Sequence, residues 1–92
     1  MDIFEAITRQ EFILHEAIVS FSYHYTKELE KRLNKKLIHR ILAKEEVEEL
    51  GLTSLEFEHK ARIKYISIYE LDNYFLVESP VGKVYVEYIE VS

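Results

Sequence analysis

Cysteine is absent from this chain, which excludes disulfide bridges, thiolate metal sites and cysteine nucleophiles. Glycine is almost absent too. With only Gly51 and Gly82, neither a phosphate-cradling loop nor a dinucleotide fingerprint can be assembled. The single proline is Pro80, so residues 2–33 contain no helix breaker of either kind. The longest apolar stretch is interrupted by His15, Glu16, Ser20, Ser22 and His24, too often for a membrane span. The amino terminus lacks the basic region and small-residue cleavage site of a secretory leader. A cytoplasmic protein without membrane contact is the expectation. Abundant Glu, Lys and Ile with few Gly, Pro and Met resemble the composition of hyperthermophile proteins.

What remains is enough for one small domain of 92 residues. Its first third is a strong helix former. Ile13, Leu14, Ala17, Ile18, Phe21 and Tyr25 form a broad apolar stripe at helical spacing, extended by Ile7 and Leu29. Phe12, Val19 and Tyr23 form a second, narrower stripe on roughly the opposite side. A break is conceivable at Thr8, where Thr8 to Glu11 fits a capping box. Asn34 suits a left-handed helix end. Leu37, Ile38, Ile41, Leu42, Val47 and Leu50 then recur at helical spacing, and Gly51 provides a stop.

Beyond Gly51 the chain is rich in Ile, Val, Tyr and Phe, punctuated by Asp72-Asn73 and Ser79-Pro80-Val81-Gly82, which are turn signals. Val84, Val86 and Tyr88 fall on one strand face; Tyr85, Glu87, Ile89 and Val91 fall on the other. Tyr74 and Leu76 likewise oppose Phe75 and Val77. The sequence therefore predicts an α+β domain: two N-terminal helices, about 2–33 and 36–50, packed on a three- or four-stranded antiparallel meander. Its strands are expected near 54–58, 61–70, 74–79 and 83–91.

The net charge of −5 is segregated. Residues 1–26 carry −3, 27–44 carry +5, 45–59 carry −6, 60–64 carry +3 and 65–92 carry −4. Lys27, Lys31, Arg32, Lys35, Lys36 and Arg40 form a basic block suited to an anion or a nucleic acid, with Tyr23 and Tyr25 near for stacking. Their plainer use is to complement the helix dipole at a C-terminal end. Glu45 to Glu49 follow at once and oppose phosphate.

Catalytic signals are sparse. Ser20, Ser22, Ser54, Ser67 and Ser79 lack a glycine elbow or a placed histidine. Glu11 and His15 stand four apart and offer two metal ligands, short of a site. His15 and His24 lie about 180° apart on one helix. No metal or cofactor is expected. Arg9 with His15, and Arg32 with His39, match the loose Arg-to-His spacing of HEPN ribonucleases and resemble that family in this spacing alone. Gln10 follows the first Arg and the apolar Leu33 the second; the family's helical bundle also differs from the sheet read here after Gly51. The helix–helix–sheet order is similar to that of RelE-type toxins, whose basic sheet face binds RNA. Here Lys60, Arg62 and Lys64 are opposed by Glu70, Glu78, Glu87 and Glu90.

Three function classes follow. The first is a non-enzymatic protein–protein interaction module, homodimeric through Phe12, Val19 and Tyr23, serving as an adaptor or as an acidic inhibitor of a basic partner. The second is a nucleic-acid binder using residues 27–44. The third is a small ribonuclease.

Overall fold

The computed structural model describes the backbone of residues 3–80 and 82–91, and the side chains of 18–80 and 82–91. Helix α1 runs Ile3–Leu33, strand β1 Leu37–Ile41, helix α2 Lys44–Glu49, and a single 3₁₀ turn Leu52–Ser54. Strands β2 (Glu58–Ile63), β3 (Ile66–Leu71), β4 (Tyr74–Ser79) and β5 (Gly82–Glu90) complete the chain. All neighbours in the sheet are antiparallel, in the order β1-β5-β4-β3-β2. Among the described residues the fold is thus α+β, with one long helix and five strands in place of two N-terminal helices on three or four strands.

Helix α1 follows from its composition: 31 residues without a breaker, and no interruption at Thr8. At about 1.5 Å per residue it is about 46 Å long. The molecule measures 49 × 28 × 23 Å, so the helix sets its long dimension. Its end is a Schellman motif. Asn34 adopts φ 53°, its N–H bonds to the Lys31 carbonyl at 3.3 Å, and the Lys35 N–H bonds to the Glu30 carbonyl at 3.2 Å.

The predicted second helix over 36–50 is the largest correction. Residues 37–41 are strand β1, and only 44–49 are helical. Leu37 and Ile41, like Ile38 and Leu42, are four apart, and four is an even number. The same spacing therefore satisfies strand alternation as well as a helix face. The sheet decides between them. Strand β5 presents backbone groups on its outer side that β1 satisfies, from Val91 N–H to the Lys36 carbonyl and from Leu42 N–H to the Tyr85 carbonyl, both 2.9 Å. Ala43, which lacks a side-chain oxygen, precedes α2, and Glu46 compensates by accepting from the Ala43 N–H at 3.2 Å.

The strand predicted over 61–70 divides into β2 and β3 about a tight turn at Lys64-Tyr65, where Lys64 takes φ 55°. The strand placed at 54–58 is mostly the 3₁₀ turn and a connection. Strands β4 and β5 lie where expected, and Asn73 (φ 68°) turns the chain from β3 into β4.

Each sheet face has its own core. On one, Ile18 and Leu29 of α1 pack on Ile68, Phe75, Val77 and Val86. On the other, Leu42, Val47 and Leu52 cover Leu76 and Tyr85. The expected alternation holds: Val84, Val86 and Tyr88 meet the long helix, while Tyr85 meets the short one. A sheet apolar on both sides is covered on both, the second time by the short α2 and the 3₁₀ turn.

Candidate functional site

The inner face of α1 is less apolar than its stripe suggests. Ser22 and Thr26 are buried against the sheet, their hydroxyls donating to the Ile18 and Ser22 carbonyls at 2.8 and 2.9 Å. Back-bonding of this kind satisfies the hydroxyl and keeps the helix surface low, so the sheet approaches closely. Of the second stripe, Val19 is 37% and Tyr23 51% exposed; Phe12 lies outside the described side chains. Tyr23 is not isolated. Its ring meets His39 of β1 edge-on at 5.8 Å and His24 at 6.1 Å, and Lys27 Nζ stands 5.4 Å from its centroid. These contacts join the outer side of α1 to the β1 edge in one surface.

The basic block is largely occupied by carboxylates. Lys27 pairs with Glu30 at 3.3 Å, Lys31 with Glu28 at 3.6 Å, and Lys35 with Glu90 at 3.1 Å. Arg40 bridges Glu46 and Glu87, fastening α2 to β5. Its hydrogen bond to Glu46 is the first reason that Arg40 holds its proton more tightly than usual and Glu46 holds its own less tightly. Lys36 alone of the six forms no ion pair among the described residues, although its charge helps keep Glu30 ionised.

Glu30 ties α1 to the sheet edge. Its Oε2 accepts from the Leu37 N–H at 3.0 Å, the main cause of its lowered pKa. The β1–β5 register directs the Leu37, His39 and Ile41 backbone groups away from the sheet. Glu30 thus satisfies the first donor of an otherwise open edge.

The most constrained polar group was missed by pattern reading. Glu70 of β3 is 9% exposed on the helix-facing side. Its Oε1 accepts from Tyr25 Oη at 2.8 Å and from Arg32, and Lys60 Nζ stands 4.0 Å from Oε2. Burial, and then the hydrogen bond to Glu70, push the Tyr25 phenol well above its ordinary pKa. Tyr88 is raised by burial first and by the Glu70 charge second. Arg32 is held protonated chiefly by its bond to Glu70. The available sign was a carboxylate in the inward phase after Ile66 and Ile68. An open cleft over this cluster is bordered by Glu56, Glu58 and Asp72. The arrangement fixes a helix to a sheet; every acid at its centre already has a cation.

Among the described residues, no group of three or more His, Asp or Glu is placed to hold a metal ion, and no helix is long and apolar enough to cross a membrane. His24 and His39 serve as aromatic neighbours of Tyr23, whereas Arg9, Glu11 and His15 have side chains outside the described set. No family model matches the chain, nor does any curated protein or solved structure.

Proposed function

We propose that this chain is a non-enzymatic protein–protein interaction module that pairs with a second copy of itself along the outer side of α1. The observation that carries this reading is the exposure of Val19 and Tyr23 on a helix that has already buried its other side in its own sheet. Charge supports an antiparallel pairing. The first part of the chain is acidic and the part from Lys27 basic, so two helices crossing head to tail bring opposite signs together. A strip about 46 Å long and about 12 Å wide offers about 550 Å² per partner, short of the ~800 Å² of a standard interface. The pair therefore needs neighbouring surface, and His39 beside Tyr23 supplies the continuation.

The acidic side is free for another role. Glu45, Glu48 and Glu49 of α2, Glu56 after it and Glu58 at the start of β2 are exposed, a field suited to steering a basic partner. An adaptor or inhibitor resident in the cytoplasm fits this layout. Nucleic-acid binding through 27–44 has less support because those cations are mostly paired, and a ribonuclease role for Arg32 competes with its bond to Glu70.

Sedimentation velocity at about 100 μM, a concentration that populates a micromolar dimer, is expected to give a dimer. Val19→Glu and Tyr23→Glu should each give a folded monomer. A wild-type monomer at that concentration, or a dimer indifferent to both changes, overturns the proposal.

A further inference from the structure

We propose a second site, on the sheet face opposite α1, that binds the phosphate and base of a nucleotide, either free or within a single strand. Four residues line up across four strands in direct register: Arg62 opposite Ser67, Ser67 opposite Glu78, and Glu78 opposite Lys83. Residues paired in register share a sheet face, so their side chains form one row. The row crosses three strand spacings of about 4.8 Å, placing its terminal cations on the order of 14 Å apart at the backbone. Tyr65 and Tyr69 stand beside it, and with these residues they line one open groove. Tyr65 is 76% exposed, the most open large hydrophobic side chain among those described.

Three features separate this row from the basic block at the end of α1. First, neither Arg62 nor Lys83 forms an ion pair among the described residues, whereas five of the six cations between Lys27 and Arg40 do. Arg62 uses only Nε internally, on the Lys64 carbonyl at 3.3 Å, which leaves its terminal amino groups for a phosphate fork. Second, α2 and the 3₁₀ turn cover Leu76 and Tyr85 but do not line this groove. Third, aromatic faces accompany the cations: the His59 ring meets Tyr69 at a tilt of 58° with centroids 5.0 Å apart, and Tyr65 has a free ring. Cations for the backbone and tyrosine faces for the bases are what a sequence-tolerant single-strand site requires. Glu78 lies between the cations, where it can accept from a base amino group.

Fluorescence anisotropy of an end-labelled single-stranded oligonucleotide of about ten nucleotides, matching a typical site size, tests this at low salt. Binding is expected with log K against log salt falling at a slope of about −1.4, the value for two neutralised phosphates on a single strand. Arg62→Ala with Lys83→Ala should weaken binding at least tenfold, and Tyr65→Ala several-fold. Lys31→Ala with Lys35→Ala should change it less than twofold. Competition by adenosine monophosphate at equal nucleotide concentration supports a free-nucleotide ligand; weak competition supports a strand. Absence of binding at low salt overturns the site, as does an Arg62 and Lys83 double variant, folded by circular dichroism, that binds like the wild type. A loss confined to Lys31 and Lys35 does so too.

Discussion

A carboxylate on the inner face of a sheet must be compensated, and Glu70 is compensated by three residues from two elements: Tyr25 and Arg32 on α1 and Lys60 on β2. The partners are unequal. The side chain of Arg32 is half exposed, so its attraction is screened and contributes modestly. Tyr25 is half-buried, its ring packed edge-on against Phe75 at 5.0 Å, and its hydroxyl donates to Glu70 at 2.8 Å. Tyr25→Phe should therefore cost about 1 kcal/mol. Glu70→Leu should cost about 1–3 kcal/mol, because it strands the phenol. Combined, the two should cost less than their sum by about 1 kcal/mol, measured by urea unfolding as a double-mutant cycle. Strict additivity would show that the phenol and the carboxylate act independently.

At the scale of elements, the contact between α1 and the sheet depends on small residues. Ser22 is fully buried and its hydroxyl bonds within the helix, so the helix needs nothing from the sheet at that point except space. Ser22→Ala should leave stability within about 0.5 kcal/mol, since the lost hydrogen bond is offset by better helix propensity. Ser22→Leu should cost about 1–3 kcal/mol by overpacking against the strands. Thermal and urea unfolding of the two variants check this, and a tolerated leucine would mean that the helix does not sit tightly. Apolar periodicity located α1 and the faces of β4 and β5, and turn-forming residues located Asp72-Asn73, because each signal there has a single reading. It failed where one spacing has two readings. Leu37, Ile38, Ile41 and Leu42 fit helix and strand alike, and the choice was made by the unpaired edge of β5, which lies some fifty residues downstream. The Lys64-Tyr65 turn was illegible because neither residue is a turn former, and Lys64 is held at positive φ by the pairing of β2 with β3. The burial of Glu70 and Ser22 was illegible for a related reason: apolar stripes do not mark polar residues that are satisfied inside them.

At the scale of the whole molecule, the shifted groups define a pH window. Glu30 and Glu46 have lowered pKa values, the first from the Leu37 N–H and the second from Arg40. Folding is thus favoured by their ionised forms. That contribution is present above the ordinary carboxylate value of about 4.3 and is lost as pH falls through the lowered folded values. Tyr25 is raised, mainly by burial, so the folded state keeps a proton that the unfolded chain releases above the ordinary tyrosine value of about 10. Its contribution is complete below that pH and declines as pH rises toward the folded value. Tyr88 acts in the same direction. The urea midpoint should therefore form a plateau across neutral pH with a fall on each side. The two limbs belong to different parts of the molecule, which makes them separable. Tyr25→Phe removes the strongest alkaline contributor and should flatten that limb while leaving the acid one in place. Glu30→Gln should instead weaken the acid limb, and the protection of the Ile38 and Arg40 amides, taken relative to their intrinsic exchange rates, should no longer fall with acid as the clasp on β1 ceases to titrate. An alkaline limb unchanged by Tyr25→Phe would place the controlling proton elsewhere than beside Glu70.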